Sequence, residues 1–239
     1  MNPLILSLLS SLSTMIGSLF INFKNNKNIL CFSLAFASGV MLTVSVFDLI
    51  PESFIKLNDY FNTIPSILFL FIFFNIGVII SFTIDKYVPN NDEIYRVGII
   101  SLIAIIIHNI PEGIATYIAG SIDIKLGITL AISIALHNIP EGIAIAIPIY
   151  YSTKNKFKAI LYTSVAGLSE FIGALFAYFF LRNLISDLFI GIILSIIAGI
   201  MMQISLYELL PSSIKLNNKR VGVYFIIGFI IMLLSIIII

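Results

Sequence analysis

A chain of 239 residues that is 59% hydrophobic and 10% charged, with a mean hydropathy of +1.11, lies far from the roughly 25% charge of soluble domains, which excludes a water-soluble globule. The formal net charge of +1 adds nothing to this. The single cysteine, Cys31, excludes an internal disulfide or a thiolate cluster and leaves the redox compartment undetermined, so any metal chemistry must use oxygen and nitrogen.

Eight apolar blocks follow in chain order, near residues 3–22, 29–51, 64–85, 96–119, 124–149, 158–181, 188–210 and 221–239. Each matches the ~20 residues a helix needs to cross the hydrocarbon. The runs are continuously apolar rather than alternating at every second position, which argues against a membrane barrel. The expected fold is therefore all-α and integral to the membrane, with eight transmembrane helices forming one domain over residues 1–239. The first block has no charged leader and no small-residue cleavage site, so it is expected to stay as a helix rather than leave as a signal peptide. No soluble domain or low-complexity tail is expected.

The connections are short and carry Asn, Lys, Pro and Ser, as at 24–28, 89–93 and 217–220. With eight spans, alternate connections share a side. Lys24, Lys27, Lys86, Arg96, Lys154, Lys156, Lys158, Lys215, Lys219 and Arg220 fall on one, and Lys56, Lys125 and Arg182 on the other. Ten against three assigns the first side to the cytoplasm and both termini to the outside.

Span 1 carries LSTMIGSLF from Leu12 and span 6 carries LSEFIGALF from Leu168. Span 2 reads GVMLTVSVFDLIPES from Gly39 and span 7 reads GIMMQISLYELLPSS from Gly199, with Asp48 aligned to Glu208. Spans five apart run in opposite directions, so the repeat is expected to be inverted, relating spans 1–3 to 6–8 and span 4 to span 5. Inverted repeats around a midplane site are a mark of transporters.

Spans 4 and 5 each contain HNIPEG, at His108 to Gly113 and again at His137 to Gly142. Ionisable groups in such apolar segments are costly unless compensated, and a bound cation is the simplest compensation. At ~100° per residue, His108, Asn109 and Glu112 share one helix face, and His137, Asn138 and Glu141 repeat it. Both faces sit about halfway along their spans, so antiparallel packing would bring six ligands together. Pro111 and Pro140 each remove an amide donor and are expected to bend and break the backbone beside those faces.

Glu170, the acidic residue of span 6, aligns with Thr14 and is expected to add a ligand from a third helix. Such a set suits Zn, Fe, Mn, Co or Cd better than Cu(I), with one or two ions held and Glu112 and Glu141 bridging if there are two. Asn75, Ser101 and Ser133 are expected to make ordinary interhelical hydrogen bonds, and Met41, Met201 and Met202 to pack. Asp48 and Glu52, at the outer end of span 2, and Asp85 and Glu208, at the inner ends of spans 3 and 7, are expected to line the transport pathway on either side.

Through HNIPEGIA in span 4, HNIPEGIA in span 5, GLSEFIGA in span 6 and ELLP in span 7, the chain resembles the ZIP family of divalent-metal transporters, particularly its bacterial ZupT-like members. The likeness spans all eight helices. It implies a metal centre of His108, Asn109, Glu112, His137, Asn138, Glu141 and Glu170, and net movement of metal into the cytoplasm. It also implies an elevator-like shift of helices 1, 4, 5 and 6 against helices 2, 3, 7 and 8, often in a homodimer, within a bacterial cytoplasmic (inner) membrane.

Relatives often place a coordinating residue just before the span 7 glutamate, where this chain has Tyr207. Many also carry a His-rich loop between spans 3 and 4, and here Lys86 to Arg96 has no histidine. The expected partners are divalent ions (Zn2+ foremost, then Fe2+, Mn2+, Co2+ or Cd2+) and membrane lipid, with no resident cofactor and no nucleic acid. An intramembrane metal hydrolase is the alternative from another class, but the chain has no HExxH. A metal exporter of the same fold and a structural scaffold complete the alternatives.

Overall fold

The computed structural model describes residues 2–22, 26–88, 92–181, 186–216 and 218–238. Lys24 and Arg182, two of the charges used to orient the chain, and positions 89 and 217 of the expected connections lie outside the described residues. Eight helices are long and apolar enough to cross a membrane: α1 Pro3–Ile21, α2 Lys27–Tyr60, α3 Thr63–Tyr87, α4 Glu93–Ile122, α5 Ile124–Thr153, α6 Lys156–Phe180, α7 Asp187–Lys215 and α8 Val221–Ile238. Among the described residues every regular element is helical.

Polar side chains fix where the helices begin. Asn2 accepts from the Leu4 amide at 3.0 Å with Pro3 at the first helical position, and Asn26 accepts from the Ile29 amide at 3.0 Å. Asp123 alone joins α4 to α5, closing the one and capping the other through the Lys125 amide at 2.9 Å. Asp92 caps α4 through the amides of Ile94 and Tyr95 and accepts from Ser152. Burial pushes the Asp92 carboxyl up, but these hydrogen bonds outweigh it and hold the group below its ordinary range.

Two expectations are corrected by the helix geometry. The second span does not stop near residue 51 but continues as helix to Tyr60, because Leu57 packs beside Gly191 and Lys56 pairs with Asp187 at 3.0 Å. Asp48 and Glu52 are thus inside a helix rather than at its end. The backbone breaks also lie elsewhere: α4 and α5 remain α-helical through Pro111, Pro140 and Pro148, whereas π-helical turns interrupt α2 at Ser45–Leu49 and α7 at Ile204–Leu209 and finish α6 at Ala177–Leu181. In α2 and α7 the cause is the proline just beyond, Pro51 and Pro211, which leaves the carbonyl four residues earlier without its donor.

The helices form two groups. In one, α1 packs along α5 and α6, and α4 along α5 and α6. In the other, α2 packs along α8 and α7, and α3 along α7. The close crossings repeat with the sequence. A Cβ on Gly113 of α4 would fall on the Glu170 carbonyl oxygen of α6, and one on Gly142 of α5 on that of Thr14 in α1. Likewise Gly39 of α2 meets the Phe225 carbonyl of α8, and Gly199 of α7 that of Phe74 in α3. Small residues that admit a neighbouring backbone are how helices pack without a hydrophobic drive between them.

Hydroxyl pairs support the second group, Ser53 Oγ to Ser195 Oγ at 2.6 Å and Ser38 Oγ to Ser205 Oγ at 2.9 Å. Met41 and Met201 are core packing residues, as expected. α3 and α8 turn large apolar side chains such as Phe71, Ile79, Ile226 and Ile237 outward, a surface suited to hydrocarbon rather than water.

Candidate metal site

The helical spacing of the hexapeptides does what the sequence required of it. His108 and Glu112 stand one turn apart on α4, and His137 and Glu141 repeat that spacing on α5. His108 Nε2 lies 3.0 Å from Glu112 Oε1 and 3.5 Å from Glu141 Oε1, and His137 Nε2 lies 2.9 Å from Glu112 Oε1. The imidazole centroids are 6.1 Å apart. Ligand atoms of His108, Glu112 and His137 all fall within 4.8 Å of one another, and all four side chains are buried.

The two asparagines are held in one orientation by main chain from the other helix pair. Asn109 Nδ2 donates to the Ala166 carbonyl of α6 at 2.9 Å, and Asn138 Nδ2 to the Ser10 carbonyl of α1 at 3.3 Å. Positions 10 and 166 correspond in the repeat, so the same anchor is built twice. With its nitrogen committed, each amide turns its Oδ1 away, and both Oδ1 atoms are buried without a hydrogen-bond partner. Glu112 Oε2 and both Glu141 oxygens are also buried without a donor. Buried acceptors are almost always satisfied, and leaving several unsatisfied in one place is expensive. The carboxylate of Glu112 beside the imidazoles of His108 and His137 is a donor set that suits a borderline divalent cation.

Glu170 sits beside this cluster rather than among its mutually close ligand atoms. One of its oxygens accepts from the Ser10 hydroxyl and the other from Asn138 Nδ2 at 2.8 Å. Each Glu170 oxygen keeps a second lone pair, so these hydrogen bonds orient the carboxylate without using up its capacity to accept. Asp48, half-buried in the middle of α2, lies within electrostatic reach of His137, Glu112 and His108. Glu52, one turn further on, is exposed.

Asp85 and Glu208 are not free carboxylates. Arg96 Nη2 bonds the Asp85 carboxylate and reaches its carbonyl at 3.5 Å, while Nη1 lies 3.6 Å from Glu208 Oε2. Tyr207 offers nothing to this group and stacks edge-on against Phe82, with centroids 5.4 Å apart.

Interhelical hydrogen bonds expected at two polar positions are not made. Asn75 donates within its own helix to the Phe71 carbonyl at 2.7 Å, and the Ser101 hydroxyl is buried without a partner. Sequence reasoning also missed Ser10 and the anchoring carbonyls, since a backbone acceptor on another helix leaves no residue-type signal. It counted Arg96 only as a cytoplasmic charge, although its place on α4, in register with Lys125 on α5, was readable.

The family model described as ZIP Zinc transporter matches residues 90–236. The chain belongs to the ZIP family. It is 37% identical to the zinc transporter ZupT of Clostridium perfringens over 97% of this chain and 93% of the relative, and 38% identical to the ZupT of Streptococcus mutans over 97% and 95%. The ZupT of Chlorobium luteolum is 39% identical over 97% and 96%. Membership places this ZIP chain among divalent-metal transporters rather than enzymes, and its eight apolar helices make it a multi-pass cell-membrane protein. The buried histidine and glutamate cluster lies within the matched segment.

Proposed function

We propose that this ZIP protein takes up Zn2+, and secondarily Fe2+, Mn2+, Co2+ or Cd2+, into the cytoplasm of a bacterium, through a midplane site of His108, Asn109, Glu112, His137, Asn138 and Glu141, with Glu170 joining on loading. The observation that supports this most is the buried group of His108, Glu112 and His137, whose ligand atoms lie within 4.8 Å of one another, in a site where Glu112 Oε2 and both Glu141 oxygens are buried without a hydrogen-bond donor. A divalent cation supplies the charge those oxygens lack. An inside-negative potential of 100 mV adds ~4.6 kcal/mol per divalent ion, enough for over a thousandfold accumulation.

In this reading the repeat is inverted, both termini are outside, and the group α1, α4, α5 and α6 carries the site while α2, α3, α7 and α8 form the frame, each chain working within a homodimer. Asp48 gathers cations on the outer side, and Asp85 and Glu208 receive them on the inner side. Radiozinc uptake into cells or oriented vesicles tests it. Uptake is expected to fall to background in Glu112→Ala and Glu141→Ala while both proteins still insert, and with an inside-negative potential imposed, inward flux should exceed outward at equal zinc. Normal uptake by both variants rejects the assignment.

A further inference from the structure

The two ends of the boundary between α4 and α7 are built differently. Toward the end that carries Asp187, a shallow apolar cleft is lined by Pro111, Ile114 and Ala115 of α4 and Ile190, Ile193 and Leu194 of α7. Toward the opposite end, Arg96 of α4 spans the boundary to Asp85 of α3 and Glu208 of α7, and Lys215 of α7 pairs with Glu93 of α4. Among the described residues, the ion pair at the cleft end, Lys56 with Asp187, joins α2 to α7 within one helix group. Lys and Arg pairs that tie one group to the other are thus concentrated at a single end.

The chemistry of that end is specific to arginine. A planar guanidinium can present separate N–H groups to two carboxylates at once. Its side chain is 17% exposed, against 23% for Asp85 and 9% for Glu208, so salt screens the cluster less than it would a surface pair. Arg96 also has a counterpart that lacks this setting. Lys125 stands 29 residues later, the spacing that separates His108 from His137, yet it is exposed and has no ion pair among the described residues.

We propose that Arg96 is the residue that closes the cytoplasmic end of the pathway. Its guanidinium occupies Asp85 and Glu208, holds α4 against α3 and α7, and bars the way with a positive charge. A divalent cation and Arg96 compete for the same oxygens, so metal leaves only when α4 has moved and released the two carboxylates to receive it. The inference deepens the uptake reading and rests on its orientation.

Ser101 is the place to read this out. It lies seven residues before His108, about 20° off the same face of α4, and it is buried with an unpartnered hydroxyl. In a Cys31→Ala background, Ser101→Cys is exposed to a membrane-impermeant thiol reagent from the cytoplasmic face of the membrane. With Arg96 intact the thiol is expected to react slowly. Arg96→Gln should raise the rate roughly tenfold, as a two-state equilibrium does when one cluster stops favouring the closed form. Lys125→Gln, which removes the corresponding charge where there is no clasp, should leave the rate unchanged.

If Arg96→Gln does not insert, the charge exchange Arg96→Glu with Asp85→Arg decides, because it again puts a guanidinium between two carboxylates and should restore slow labelling. Equal labelling with Arg96 and Arg96→Gln, an equal effect of Lys125→Gln, or fast labelling of the exchanged pair overturns the proposal. Absence of zinc uptake by the parent protein removes the transport reading whatever the labelling shows. Labelling that ignores Arg96 removes the clasp whatever uptake shows.

Discussion

The seam between α2 and α5 and the seam between α7 and α4 are counterparts under the sequence repeat, yet they are not packed alike. α2 lies along α5 over an extended contact, with Val40, Val44, Ala144 and Ile147 in one apolar core. α4 meets α7 over a shorter stretch that opens into the apolar cleft at one end and is tied by Arg96 at the other. The aligned carboxylates diverge in the same way: Asp48 is within reach of the histidines, while Glu208 is held by Arg96. In the proposed uptake reading, two repeat-related seams packed in two different ways suit alternating access, since exchanging the seams would exchange the open side.

The comparison breaks most completely at the point where the seams meet. Glu112→Ala and Glu141→Ala should abolish zinc uptake, and they should also abolish the stabilisation of the purified protein by zinc. That stabilisation should reach ~2.7 kcal/mol at a hundredfold excess over Kd and vanish on chelation. A thermal shift with zinc that survives in both variants places the metal elsewhere.

The repeat-related crossings give the next effect. Gly113→Val and Gly142→Val each drive a side chain into a facing carbonyl, of Glu170 and Thr14 respectively, and each should cost ~1–3 kcal/mol or more. Gly222→Ala, where a Cβ would meet nothing within 4 Å, should be neutral. Thermal unfolding in detergent checks this, and a neutral result for either valine removes the idea that the halves share their crossings.

Much of this was legible in the chain. Eight spans follow from hydropathy, and the ligand faces follow from 3.6-residue periodicity applied to HNIPEG. The length of α2 was not legible, because ESFIKLNDY is too polar to read as membrane and becomes helix only by packing on α7. The π turns were only half legible: Pro51 and Pro211 announce a disturbance but not its form. The clasp was hidden because Arg96 and its two partners come from three different helices, and residue type alone cannot show which charge meets which.

A smaller effect sharpens the contrast between the aligned carboxylates. Asp48→Asn should raise the apparent KM for zinc by about tenfold or less, with little change in maximal rate, since a charge beside a site concentrates cations more than it changes their release. An unchanged KM contradicts the role of Asp48 on the outer side. The smallest effect belongs to the frame: Ser53→Ala, losing the hydroxyl pair with Ser195, should cost ~0.6 to ~1.7 kcal/mol and leave uptake intact.

Metal capture by the paired hexapeptides is tested most directly by X-ray absorption at the zinc edge of the loaded, purified protein. The expected spectrum has nitrogen and oxygen ligands at about 2.0–2.2 Å with imidazole scattering beyond them, and it is lost in Glu112→Ala. Zinc that fails to bind, or that binds with the same spectrum when Glu112 and both histidines are replaced, contradicts the account.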